Sequence, residues 1–146
     1  FIWCHRNPQA VVPSINSMNK VVMNMYAGDY SHLDAGEIGR AVMEWYALSL
    51  ERGLAERAKL DPEIFVDCSQ QELVDDPMAV VQRVYAKFGL DMDDAAKDAF
   101  TAHIAANPKG KHGKHEYNLA EYGLTRELID QRFNFYTSDS RWPISQ

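Results

Sequence analysis

Two short apolar runs in the chain have the pattern of buried strands, and each is followed by helical patterns. The runs occupy residues 1–5 and 64–68. Pro13 interrupts the first helical pattern, so that helix is expected either to kink there or to start afresh there. Helices are predicted from Pro8 to Gly28, from about Asp34 to Lys59, from Pro77 to Gly89, from Asp91 to Ala106, and from Thr125 onward.

The second predicted helix combines apolar positions with regularly placed acids. Its apolar residues recur at helical spacing and are expected on the buried side: Ile38, Val42, Trp45 and Leu48. Its glutamates are expected to form the solvated face: Glu37, Glu44, Glu51 and Glu56. The pattern thus predicts a helix that packs through large side chains and is acidic on the outside.

The order strand, helices, strand, helices is typical of an α/β fold. Two strands separated by long helical segments are expected to be members of one parallel sheet, whose other strands lie elsewhere. Two strands alone do not make a stable sheet, and the chain opens inside an apolar run with no leader or turn before it. We therefore expect a truncated or proteolysed part of a larger parallel sheet, whose exposed strand edges would favour association into a homo-oligomer.

Composition and charge narrow the class of protein. The chain has 146 residues, of which 46% are hydrophobic and 25% charged, as in a globular domain or part of one. Its net charge of −6 argues against general nucleic-acid binding, and no apolar run approaches the ~20 residues of a membrane span. The window 108–115 nevertheless carries three lysines and two histidines without an acid, which indicates either a local anion site or a solvated basic loop.

The cysteines and histidines give no sign of a disulfide framework or a metal site. Cys4 and Cys68 each lie in an apolar run, where a free thiol packs as a small hydrophobic group. This usage predicts a reduced, cytoplasmic protein. His112 and His115 lack partners at zinc-ligand spacing, so no metal site is expected.

Arg6 and Ser14 have the spacing of an anion-binding pair. Arg6 follows the first predicted strand, where the carboxyl end of a parallel strand and the start of a helix favour a bound anion. A guanidinium supplies a planar fork of donors for phosphate oxygens, and the Ser14 hydroxyl on the following helix adds another donor. From the residues alone, Arg6 remains equally explicable as a surface ion-pairing residue and Ser14 as an ordinary helix serine.

The same segments resemble the sulfotransferases that use 3′-phosphoadenosine 5′-phosphosulfate (PAPS), in particular the bacterial type. The resemblance begins with Ile2-Trp3-Cys4-His5-Arg6-Asn7-Pro8, Val11-Val12 and Ser14. It continues through Phe65-Val66-Asp67, similar to the family's second strand, and through Glu72-Leu73-Val74-Asp75-Asp76-Pro77, similar to the acidic turn that follows it. It ends with the basic loop 107–117 and Tyr122-Gly123-Leu124. In that loop, residues 109–113 match a K-G-x-x-G pattern. Four such elements in the family's order cover nearly the whole chain.

The resemblance implies a fold, a reaction and a set of binding residues. The fold would be α/β, a P-loop-NTPase-like parallel sheet with flanking helices, of which 1–146 would be a mostly helical C-terminal portion with about two strands and a loose tail over 137–146. The reaction would move a sulfuryl group from PAPS, releasing PAP, to a hydroxyl or amine of a small-molecule, glycan or lipid acceptor. The implied nucleotide-binding residues are Arg6, Ser14, Lys109, Gly110, Lys111, Gly113 and Gln70.

Departures from the family pattern limit the resemblance. Gln70 stands where the family often has a tyrosine near the adenine, and Pro108 replaces an arginine of the cytosolic enzymes. The family's phosphosulfate-binding loop and its catalytic base lie upstream of the segment matched here, so no catalytic residue is expected in these 146 residues. The alternative interpretation is a non-catalytic helical interaction module, or an inactive fragment that retains the scaffold.

Overall fold

The structure is a computed structural model in which residues 1–26, 33–108 and 118–144 are described. These residues form two compact units. The sheet unit contains residues 1–6, 63–108 and 143–144, and the helical unit contains 7–26, 33–62 and 118–142. Within these described ranges, no helix is both long enough and apolar enough to traverse a bilayer.

The elements follow the predicted order. In chain order they are β1 (Ile2–His5), α1 (Pro8–Tyr26), α2 (Ala35–Arg57), a 3₁₀ turn (Pro62–Ile64), β2 (Val66–Ser69), α3 (Gln70–Asp75), α4 (Pro77–Lys87), α5 (Asp94–Ala106), a second 3₁₀ turn (Leu119–Tyr122) and α6 (Arg126–Thr137).

The two strands are parallel neighbours, which confirms the α/β fold class. They pair in register from Ile2 opposite Val66 to His5 opposite Ser69. One face of β2 is covered by α4, whose Val80 is buried, and Val66 and Cys68 are buried on the strand itself. The sheet unit is therefore a strand pair covered by the helices that follow β2.

Helix α1 runs through Pro13 without a break, so the helix does not start afresh there. The side chain of Asn7 accepts a hydrogen bond from the Gln9 amide at 2.9 Å, and Pro8 occupies the first helical turn. Pro13 costs one backbone hydrogen bond in the interior of the helix. Both Pro13 and its neighbour Val12 are buried, so packing offsets that loss.

The predicted buried face of α2 is wrong for Trp45 and Leu48, whereas Ile38 and Val42 are half-buried as expected. Trp45 is 65% exposed and Leu48 is 43% exposed, whereas the buried residues are Gly39, Met43 and Ala47. The small residues are inside because α2 lies against the second 3₁₀ turn at a distance that leaves no room for a larger side chain at position 39.

The predicted acidic face of α2 carries an ion-pair network. Arg132 of α6 donates to Glu44 Oε2 and to Glu51 Oε1, each at 2.7 Å. These hydrogen bonds lower the pKa of Glu51 and raise the pKa of Arg132. Two of the four glutamates therefore link α2 to α6.

The core of the helical unit lies where α1, α2, the second 3₁₀ turn and α6 meet. Phe133 and Ile129 of α6 are fully buried there, and the Tyr46 ring packs on Phe133 with ring centroids 5.5 Å apart. The other buried members of this core are Val12, Met43, Ala47, Tyr122 and Leu124.

Candidate functional site

Two sequence-predicted binding residues follow the carboxyl ends of the paired strands. His5 and Ser69 are register partners at the carboxyl ends of β1 and β2. Arg6 and Gln70 are the residues that immediately follow them, and both are exposed. Because the strands are parallel, both residues follow the carboxyl edge of the strand pair.

A buried histidine anchors the strand end from which Arg6 departs. His5 is fully buried, and its Nε2 lies 2.7 Å from Asp67 Oδ1 on β2. Its ring also stacks on Trp3, with centroids 6.3 Å apart. His5 thus has a packing and hydrogen-bonding role, and it ties the last residue of β1 to the neighbouring strand.

The segment expected to be an acidic turn after β2 is instead a helix with a capping box. The Ser69 hydroxyl accepts a hydrogen bond from the Glu72 amide at 3.0 Å, and Glu72 Oε2 accepts one from the Ser69 amide at 2.7 Å. This reciprocal pair satisfies donors that a helix start leaves open, so α3 begins at Gln70. The Ser-x-x-Glu spacing was the sequence signal that the expectation missed.

Glu72 also binds Arg83, and the pair joins α3, α4 and β2. Arg83 Nη1 donates to Glu72 Oε1 at 2.7 Å, and its Nη2 donates to the Asp67 carbonyl at 3.1 Å. The Arg83 hydrogen bond, together with the Ser69 amide, lowers the pKa of Glu72 to about 2. Glu72 is therefore a carboxylate at any physiological pH.

An open cleft beside the end of β2 has the wrong charge for an anion. It encloses about 630 Å³ and is lined by Glu72, Asp75 and Asp76, with Arg83 as its cation. Since Arg83 is already engaged by Glu72 and the Asp67 carbonyl, the cleft presents a net negative surface. Arg6, which forms no hydrogen bond or ion pair with any described residue, is the cation available to an anion at this edge.

The other sequence-predicted binding residues do not belong to the described part of the sheet unit. Ser14 lies in the second turn of α1, in the helical unit, and is half-buried. Lys109, Gly110, Lys111 and Gly113 lie outside the described residues. The structure thus brings Arg6 and Gln70 to one edge of the sheet unit.

The helical unit contains a separate apolar cleft of about 380 Å³. It lies between the C-terminal half of α1 and the start of α2, and Met23, Ile38 and Tyr122 line it. Lys20 and Glu121, which also line it, form an ion pair at 3.7 Å. The sequence offered no pattern that distinguished this cleft from the core.

The fold and the edge define a class: a parallel α/β sheet with an arginine at its carboxyl edge. Comparison with known proteins identifies the family within that class. The model of a sulfotransferase family matches residues 1–94, and the chain belongs to the sulfotransferase family, which confirms the resemblance seen in its sequence. A search of curated proteins finds no match.

Two solved structures of mycobacterial enzymes are similar to the chain. Sulfotransferase STF9 from Mycobacterium avium has a TM-score of 0.84 at 25% identity, over 99% of this chain and 36% of that one. Sulfotransferase STF1 from Mycobacterium tuberculosis H37Rv has a TM-score of 0.64 at 33% identity, over 84% of this chain and 30% of that one. The chain spans about a third of the length of each of these proteins.

Proposed function

We propose that the chain supplies the part of a PAPS-dependent sulfotransferase that binds the 3′-phosphate of the nucleotide. The reaction would transfer a sulfuryl group to a hydroxyl or amine acceptor, in the cytoplasm as the cysteine usage suggests. Family membership supports sulfuryl transfer in general. The observation that carries the nucleotide-binding role is the position of Arg6 beside Gln70 at the carboxyl edge of two parallel strands.

Arg6 suits a phosphate because of its surroundings as well as its charge. It is exposed, without an ion pair among the described residues, and it follows a strand end held by the His5–Asp67 hydrogen bond. A guanidinium can donate two parallel hydrogen bonds to phosphate oxygens. We assign Arg6 as the anchor of the 3′-phosphate, with the Ser14 hydroxyl as a further donor.

The basic loop and Gln70 would complete the nucleotide site. Lys109 and Lys111 would add positive charge, and the backbone amides of Gly110 and Gly113 would add donors, as the family pattern implies. Gln70 starts α3 and is exposed at the same edge as Arg6, where its amide could hydrogen-bond a base edge. In this arrangement, positioning and charge stabilisation would carry the catalysis, and these residues would orient the donor without touching the transferred group.

Calorimetric titration with PAP tests the Arg6 assignment. The protein is expressed with whatever residues precede Phe1 in its reading frame, as wild type, Arg6→Ala and Arg52→Ala. Loss of hydrogen bonds between a charged donor and a phosphate costs about 1.5–3 kcal/mol of binding free energy. Arg6→Ala should therefore weaken the binding of PAP by about 10- to 100-fold. Arg52→Ala removes the same charge from an exposed position on α2 and should leave the affinity unchanged.

Two further outcomes of this titration decide between the functions. Equal affinities for wild type and Arg6→Ala would exclude Arg6 as the anchor. No binding of PAP by the wild-type protein would favour the non-catalytic scaffold instead. Gln70→Tyr introduces the aromatic residue common in the family, and it should raise the affinity for PAP if Gln70 faces the adenine.

The apolar cleft of the helical unit is a candidate for contact with an acceptor. Met23 and Ile38 provide an apolar wall, and the Lys20–Glu121 ion pair provides a polar rim. An acceptor with an apolar body and a hydroxyl or amine group fits that lining best. Ile38→Asp should therefore raise KM for an apolar acceptor while leaving the affinity for PAP unchanged.

A further inference from the structure

The two cysteines of the chain face each other across the strand pair. Cys4 and Cys68 are register partners in β1 and β2, and the Cys68 thiol lies 3.6 Å from the Cys4 sulfur, to which it donates a hydrogen bond. Both are free thiols. This juxtaposition depends on the pairing of segments more than sixty residues apart in sequence, and the sulfotransferase reaction has no use for it.

The backbone geometry of the pair is compatible with a covalent bond. Neighbouring strands lie about 4.8 Å apart, within the range of about 4.4–6.8 Å that Cα atoms span in disulfides. The sulfurs would have to approach from 3.6 Å to about 2.05 Å. Side-chain rotation with a small local strand movement would close that gap.

The two thiols differ in a way that assigns them different roles. Cys4 is exposed and accepts the Cys68 hydrogen bond, so it is the sulfur that an oxidant reaches. Cys68 is fully buried. Burial, followed by the hydrogen bond to Cys4, raises the pKa of Cys68 to about 11. Cys68 is thus shielded from outside reagents but adjacent to Cys4.

We propose that Cys4 and Cys68 are an oxidative modification site that closes to an intrachain disulfide under peroxide. The peroxide oxidises the Cys4 thiol to a sulfenic acid and is itself reduced to water. The Cys68 sulfur then attacks the Cys4 sulfur, the S–O bond breaks, and the oxygen leaves as a second water that carries the Cys68 proton. A thiol reductant reverses the bond by exchange. This inference does not depend on the proposed nucleotide site.

The disulfide would join the strands next to the candidate site. The pair lies one residue before the strand ends at His5 and Ser69 and two residues before Arg6 and Gln70. A covalent link there would hold β1 on β2 during local opening of the sheet unit. Amide hydrogen exchange in β2 should therefore slow by at least about tenfold on oxidation.

Peptide mapping after hydrogen peroxide treatment tests the proposal directly on the full protein. Trypsin cuts after Arg6, Lys59 and Arg83, so the bond should link the peptide ending at Arg6 to the peptide 60–83. This species should form at a rate independent of protein concentration and disappear with dithiothreitol. Disulfides that form only between chains, or a Cys4 sulfinic acid beside an unmodified Cys68 thiol, would overturn the proposal.

Trapping with dimedone separates the two roles. In Cys68→Ala the Cys4 sulfenic acid has no resolving thiol, so the dimedone adduct at Cys4 should accumulate at least about tenfold above the wild type. An adduct of equal yield in wild type would contradict the pairing. Cys4→Ser, altered at an exposed position, should show no adduct and no linked peptide; if Cys68→Ala fails to fold, the wild-type peptide map still decides.

Discussion

Gly39 of α2 offers the sharpest test of how the helical unit packs. A Cβ added there would lie 2.6 Å from Tyr122 Cβ and 2.8 Å from the Tyr122 carbonyl carbon, and closer still to the carbonyl oxygen. Two of these atoms are backbone and the third is the first side-chain atom, so no rotamer change relieves the clash. In Gly39→Ala, α2 and the second 3₁₀ turn must move apart by roughly 1 Å to restore ordinary contacts of about 3.3 Å or more.

The loss of stability in Gly39→Ala can be estimated from the packing that this movement disturbs. Overpacking a core position costs about 1–3 kcal/mol, and loosening the buried Tyr122 and Leu124 adds about 2 kcal/mol of lost packing. The better helix propensity of alanine offsets about 1 kcal/mol of this loss in unfolding free energy. We therefore expect Gly39→Ala to lower the free energy of unfolding by about 2–4 kcal/mol, or Tm by about 5–12 °C.

Urea unfolding followed by circular dichroism measures this loss, and hydrogen exchange of the α2 amides locates it in the helical unit. Gly36→Ala is the matched control on the same helix. Its added Cβ would lie 3.0 Å from the Asp34 carboxylate, which would have to shift only slightly while it caps the helix, and 3.5 Å from Gly123 Cα, so its cost should stay below about 1 kcal/mol. Equal stabilities of the two variants would refute the close approach of α2 to the turn.

Three further changes test charges and packing. The pKa of Glu72 is about 2 in the folded protein, below its ordinary 4.5. Glu72 therefore contributes stability that is present above pH 4.5 and lost as pH falls toward 2. The difference between the two pKa values corresponds to about 3.4 kcal/mol of unfolding free energy. Because the Glu72 side chain is 38% exposed, solvent screening reduces this contribution to about 1–2 kcal/mol. In Glu72→Gln, the loss of unfolding free energy between pH 4.5 and pH 2 should be smaller by that amount. Arg132→Met removes the ion pairs to two carboxylates from a side chain only 21% exposed. It should lower the free energy of unfolding in urea by about 1–2 kcal/mol. The loss should be smaller in high salt, because salt screens the ion pairs of the wild-type protein. Phe133→Ala empties a fully buried site and should cost about 3–5 kcal/mol, whereas Phe88→Ala, at a half-exposed helix end, should cost under about 2 kcal/mol in the same assay.

Local signals predicted the starts of α1, α2, α4 and α6 closely, whereas α5 begins at Asp94 rather than Asp91 and α3 was missed. Asp34, Asp76 and Thr125 each accept a hydrogen bond from an amide two or three residues ahead, which is the capping role that such side chains favour. A cap involves only neighbours in the chain, so the sequence contains all the information needed. The same holds for the Ser69–Glu72 capping box, which was readable but was taken for a turn.

The inward face of α2 could not be read in this way. Hydrophobic periodicity favoured Trp45 and Leu48 because they are large, yet the closest packing partner is a backbone carbonyl of the second 3₁₀ turn, which only Gly39 admits. That partner lies more than eighty residues away in sequence. Arg132, which binds Glu44 and Glu51, is equally distant.

For the candidate site, the amino-acid sequence by itself indicated the family, the order of the elements, and two strands of a parallel sheet with Arg6 directly after the first. Those properties follow from local patterns and from the chirality of strand–helix–strand connections. Only the tertiary structure decided what supports that edge: His5 on Asp67, Glu72 on Arg83, and Cys4 against Cys68. Each pair joins separate elements of the sheet unit, because side chains meet across space according to strand register and helix packing, which no local pattern encodes.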